Sequence, residues 1–115
     1  MLEKNLYFSV LYDYYGSLLK ENQAIVIDLY YNQDLSLGEI AEELNISRAG
    51  IHDTLKRAEK NLTEFEEKLS LHSKLEKYYE SAEKIIEILN KIDDDKYKDE
   101  VNSARKEAEK ILNEG

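Results

Sequence analysis

Residues 34–58 read DLSLGEIAEELNISRAGIHDTLKRA, and their spacing decides the fold. Leu37, Ile40, Ala41 and Leu44 fall on one face of a short helix predicted over 37–44, and Ile51 and Leu55 share a face of the helix that follows. Ser36 stands three residues before Glu39, the spacing of a capping box. Asn45 ends the short helix, Ile46 is read as an apolar plug under the turn, and Ser47 has the hydroxyl to cap the next helix. Ala41 is small where the two helices would cross. This is a helix-turn-helix layout.

Outward from that core the pattern stays helical. Leu2, Leu6, Tyr7, Val10, Leu11, Tyr14 and Tyr15 form one amphipathic stripe, interrupted at Gly16 and Ser17. Ile25, Val26, Leu29 and Tyr30 predict a second helix over roughly 21–32, with Lys20 where a Ser or Thr cap is usual and Asn22 as the alternative cap. Ile51, Leu55, Ala58, Leu62, Phe65 and Leu69 alternate at four and three residues as an a/d seam. Gly50, placed in the second turn of that helix, costs about 1 kcal/mol against Ala. A second seam runs through Leu71, Leu75, Tyr78, Ala82, Ile85, Leu89 and Ile92, and a third through Tyr97, Val101, Ala104, Ala108 and Ile111. Asp93, Asp94 and Asp95 break the chain between them. The expected architecture is all-α, with a helix-turn-helix head over 1–69 and a helical hairpin over 70–115. A hairpin alone has too little interior for both faces of Tyr78, Tyr79, Ile85 and Ile86, so a homodimer through the tail and the aromatic first helix is expected.

Composition excludes several function classes. The 115 residues contain no proline, four glycines and 36% charged side chains, which suits long helices and not a sandwich or barrel. Sixteen basic against 25 acidic residues leave a net charge of −9, the wrong sign for holding nucleic acid by overall field. The absence of cysteine removes disulfides, thiolate nucleophiles and thiolate metal sites. No apolar run approaches the ~18 residues of a membrane span, and the first fifteen residues lack a signal-peptide pattern, so a cytoplasmic protein is expected. His52 and His72 stand twenty residues apart without a zinc-type His pair, and the Asp triplet lacks the glycine and terminal glutamate of a calcium loop. With no phosphate loop or nucleophile elbow, a non-enzyme without metal or cofactor is expected. The nine tyrosines, four of them at 7, 12, 14 and 15, are read as core or dimer interface and not as a stacking platform for bases.

The 34–58 segment is similar to the helix-turn-helix of sigma factor region 4, which places a Glu-Ile-Ala triplet on the supporting helix and Ile-Ser at the start of the recognition helix. Here these are Glu39, Ile40, Ala41 and Ile46, Ser47. With LYDYYGSLL (11–19), LYYNQDLSLGEIAEELNISR (29–48) and KRAEK (56–60), the chain resembles the YlxM family of bacterial proteins over roughly residues 6–75. That resemblance implies a small all-helical protein with a region-4-like head and added helices. It further implies a regulatory role in the signal recognition particle pathway, through association with the particle's GTPase components.

In a DNA-binding reading Ser47, Arg48, Ala49, His52 and Asp53 would face base edges, and Lys56, Arg57 and Lys60 would lie near phosphates. Residues 46–60 carry four basic and two acidic side chains, whereas 34–45 carry Asp34, Glu39, Glu42 and Glu43 and no base. Those carboxylates would sit where a supporting helix crosses the phosphate backbone. Neither half of the chain is basic, with 7 basic against 13 acidic residues over 1–70 and 9 against 12 over 71–115. The favoured expectation is therefore a protein or ribonucleoprotein partner met by the same cationic patch, with weak DNA or RNA binding possible. The alternative is a transcription regulator of the region-4 type.

Overall fold

The computed structural model describes residues 4–113, so Leu2 of the N-terminal stripe lies outside the described residues. Every regular element among them is helical: α1 (Tyr7–Tyr15), a 3-10 turn (Gly16–Leu18), α2 (Glu21–Ile27), a π-helical turn (Asp28–Asn32), α3 (Leu37–Leu44), α4 (Arg48–Leu69), α5 (Leu71–Asn90), a second 3-10 turn (Asp95–Tyr97) and α6 (Lys98–Asn113). The protein is all-α. Contacts gather into two compact units, residues 1–70 and 71–115. No described helix is long and apolar enough to cross a membrane.

In the first unit α4 is the common floor, and α1, α2 and α3 all pack on it. Its four-three spacing puts Ile51, Leu55, Ala58 and Leu62 on one side, where they are buried with Leu11 and Tyr15 of α1, Val26 and Ile27 of α2, Leu29 of the π turn and Ile40 of α3. Phe8, Tyr12, Tyr14 and Phe65 close the edges of this cluster. Tyr15 keeps its ring inside and donates its hydroxyl to Glu66 Oε1 at 2.5 Å. Leu6 and Tyr7, expected on the buried stripe, face outward, and Phe8 takes their place against the core. Most of the aromatic surface of α1 is thus used within its own head.

The helix expected over 21–32 is α-helical only to Ile27 and then widens into the π turn. Gln33 N donates to Asp28 O at 3.0 Å, the five-residue step of a π helix, while the Asp28 carboxylate accepts from Asn32 Nδ2 and Gln33 Nε2 at 3.0 Å each. Lys20 precedes α2 without a side-chain cap. Lys4 reaches across to the loop after the π turn, donating Nζ to Tyr30 O at 2.6 Å and Leu35 O at 2.8 Å. The same ammonium lies 3.8 Å from the centre of the Tyr30 ring and 3.2 Å from Asp34.

The capping box at α3 is present in both directions: Glu39 N donates to Ser36 Oγ at 3.1 Å, and Ser36 N donates to Glu39 Oε1 at 3.0 Å. Asn45 ends α3 with φ of 56°, a left-handed conformation that Asn tolerates better than most residues. Ile46 is less of a plug than expected. It is 47% exposed and lines a 230 Å³ cavity with Ile25, Val26, Leu44 and Thr54. Gly50 is the third residue of α4, in the first turn and not the second, and donates its N–H to the capping Ser47 Oγ at 3.0 Å. A Cβ on Gly50 would meet Ile46 Cγ2 at 3.0 Å and Ser47 Oγ at 3.1 Å, so glycine lets both crowd the helix start.

In the second unit α5 and α6 pair as a hairpin in which only Ala82 and Ala108 are fully buried among the described residues. Their shared line runs through Leu75, Tyr79, Ala82, Ile86 and Leu89 on α5 and Val101, Arg105, Ala108 and Leu112 on α6, all buried or half-buried. The expected seams differ from this: Tyr78, Ile85 and Ile111 lie outside it and are exposed. The apolar stripe of α5 is wider than one neighbour can cover, and the pairing takes one edge of it. Arg105 Nε donates to Asn90 Oδ1 at 3.1 Å beside the turn, and His72 pairs with Glu76 one turn on at 3.5 Å.

The Ser36 backbone N–H, followed by the Ser36 hydroxyl, holds the Glu39 carboxyl below its ordinary range. A depressed folded value means a contribution present above the unfolded pKa and lost as pH falls through the folded one. Ser36→Ala should destabilise the head by about 0.5–2 kcal/mol in urea denaturation near neutral pH. The gap between variant and parent should narrow as pH drops below about 4.

Candidate partner-contact face

The start of α4 is set by Ser47, which is exposed and whose hydroxyl accepts from the Gly50 N–H at 3.0 Å. From there the apolar side of α4 is turned onto the core, which leaves the opposite stripe to solvent. Arg48, Ala49, His52, Asp53, Lys56, Arg57 and Lys60 are all exposed along it, so the structure brings the expected contact residues together on one face. They are not equivalent. Among the described residues Arg48, Arg57 and Lys60 pair with no carboxylate, His52 Nδ1 lies 4.0 Å from Asp53, and Lys56 Nζ is held 3.2 Å from Glu59.

Glu59 was not among the expected site residues. It is only 7% exposed, on the flank of the apolar side of α4, where it accepts a short hydrogen bond from the Tyr31 hydroxyl and the ion pair from Lys56. Burial, then the Glu59 hydrogen bond, pushes the Tyr31 hydroxyl far above its ordinary range, so it remains a donor. Tyr31 is braced by Tyr30 at 4.9 Å in an edge-on contact and by Phe8 at 5.8 Å. Together with Lys4, Leu37 and His52 these groups line a 440 Å³ recess beside the α4 face. A signal existed in the sequence: Glu59 is four residues after Leu55 and three before Leu62, a charge inside an apolar stripe. Its partner Tyr31, 28 residues away, could come only from the fold.

α3, which packs on α4, turns a carboxylate side to solvent. Glu39, Glu42 and Glu43 are exposed, as is Asp34 in the preceding loop, where φ is 56°. No three His, Asp or Glu side chains gather as a metal site among the described residues. The face can therefore offer a few cations to a partner while repelling an extended polyanion laid along α3.

Residues 2–109 match the family UPF0122, described as "Putative helix-turn-helix protein, YlxM / p13 like". The chain belongs to this family. Its relatives include UPF0122 proteins from Desulforamulus reducens (53% identical over 85 residues, 74% of this chain and 70% of the relative) and Halalkalibacterium halodurans (48% over 91 residues, 79% and 84%). A UPF0122 protein from Clostridium perfringens is 47% identical over 104 residues, 86% of this chain and 93% of its own length. The family match spans α1 to most of α6, so it covers the helix-turn-helix and the hairpin alike. It is described as a helix-turn-helix family.

Tyr31→Phe should leave the Glu59 carboxylate short of a donor and destabilise the head by about 1–3 kcal/mol, read by urea denaturation. An unchanged midpoint would mean that Tyr31 and Glu59 contribute independently.

Proposed function

We propose that this protein is a non-enzymatic accessory factor of the signal recognition particle pathway, working in the cytoplasm as a homodimer. In this reading the head, residues 1–69, is a platform that contacts a GTPase component of the particle, and residues 70–115 hold two copies together. The YlxM-like segments 11–19, 29–48 and 56–60 support the pathway. The choice of a protein over a duplex rests on one observation: α4 exposes the cations Arg48, Arg57 and Lys60, while α3, packed on α4, exposes the carboxylates Glu39, Glu42 and Glu43. A small cationic patch with an acidic border suits a protein surface of mixed charge, where opposite charges set register and like charges exclude wrong partners. Arg48 and Arg57 carry the recognition, and Lys60 extends it. Lys56 is half-committed to Glu59.

Immobilised protein should retain the purified particle GTPase, and Arg48→Ala with Arg57→Ala should cut retention about tenfold or more, the loss of two charge-assisted contacts at an interface. No retention of the GTPase or of the assembled particle at low salt would overturn the assignment.

A second reading, a transcription regulator of the region-4 type, draws on the same exposed face of α4, with Arg48, Ala49, His52 and Asp53 toward base edges. It predicts duplex binding whose affinity falls steeply with salt and drops with Arg48→Ala. A duplex titration at low salt with no saturable binding would end it.

A further inference from the structure

The hairpin of α5 and α6 leaves one side apolar. Tyr78, Ile85, Ala104 and Ile111, with the edges of Leu75 and Tyr79, line an open groove of about 760 Å³ along its length. Tyr78 is 57%, Ile85 43% and Ile111 45% exposed, and Ile88 beside them is 60% exposed. On the other side, by helical spacing, α5 presents Glu76, Glu80, Glu83 and Glu87, and α6 presents Lys98, Asn102, Lys106 and Glu109.

We infer that this groove is the homodimer interface, closed by the same groove of a second copy to make an antiparallel four-helix bundle. The inference rests on the homodimeric reading above and adds the surface and the geometry. Area supports it. Homodimer interfaces are ~65% apolar and bury ~800 Å² per copy, and the exposed Tyr78, Ile85, Ile88 and Ile111 with their charged rim supply both kinds of surface. With two alanines as the only fully buried residues among those described, the hairpin also lacks the interior that a four-helix bundle supplies.

Charge chooses the occupant and its orientation. On the groove side α5 carries Lys74, Lys77 and Lys84, while α6 carries Glu100, Glu107 and Lys110, all exposed, with Lys110 Nζ 3.0 Å from Glu107, so the α5 edge is net basic and the α6 edge net acidic. A twofold axis parallel to the helices sets α5 of one copy against α6 of the other, antiparallel, and brings each lysine row to the net-acidic edge of the second copy. An axis perpendicular to the helices would stack α5 on α5 and oppose lysine to lysine. The rim is therefore self-complementary in one arrangement and repulsive in the other, the way flanking charges set partner and orientation in helical bundles.

Sedimentation equilibrium of the full chain should give a dimer, and Ile85→Glu should give a monomer with unchanged helical circular dichroism. Lys77→Glu with Lys84→Glu, a surface change that does not depend on repacking, should weaken self-association about tenfold or more. Glu100→Lys with Glu107→Lys should do the same, and mixing the two double variants should restore a heterodimer of near-parental affinity. A monomeric parent chain at 100 μM or so, ten to a hundred times a micromolar Kd, would overturn the homodimer and this geometry together. A dimeric parent whose Ile85→Glu variant stays dimeric, or whose charge variants fail to rescue each other, would overturn the geometry alone.

Discussion

The apolar side of α4 is the constraint on which the head depends. Ile51, Leu55, Ala58 and Leu62 receive Leu11 and Tyr15, Val26 and Ile27, and Ile40 from three other helices. Removing any one of those helices from the floor would expose large side chains that no other element can cover. Because the inner side of α4 is fixed by this burial, its outer side is fixed too, and Arg48, His52, Arg57 and Lys60 are presented without any dedicated scaffold. Which charges α4 turns to solvent is a by-product of which side the core takes.

The edges of the core are finished by polar groups whose partners are distant in sequence. Tyr15 reaches Glu66, Gln23 accepts from Asn61 at 2.9 Å, and Tyr31 holds Glu59. Each gives a buried or half-buried polar atom a defined mate, which limits how the helices can slide against one another. Glu59 also draws Lys56 inward, so the basic stripe is narrower than its composition suggests.

Much of this was legible from spacing. The capping box at Ser36 and Glu39, the bounds of the 37–44 helix, the end at Asn45 and the α4 seam through Leu62 all follow from local rules. The exceptions are positions where a neighbour overrides the pattern. The π turn over Asp28–Asn32 depends on how the Asp28 carboxylate gathers Asn32 and Gln33, and Ile46 stays half-exposed at the rim of the cavity it lines with Ile25, Val26, Leu44 and Thr54. The α5 stripe contains two overlapping four-three lines, through 78 and 85 and through 79 and 86, which periodicity alone ranks equally.

The sequence by itself determined that the chain is helical throughout, where its turns fall, that it carries a helix-turn-helix, and that the net charge opposes a simple nucleic-acid role, since capping, periodicity and composition are all local or summed quantities. Only the tertiary structure decided which of two apolar lines on α5 pairs with α6, that Glu59 is buried under Tyr31, and that α1 spends its aromatic rings within the head. Those outcomes depend on side chains far apart in the chain competing for one surface, and sequence spacing does not say which competitor has the room.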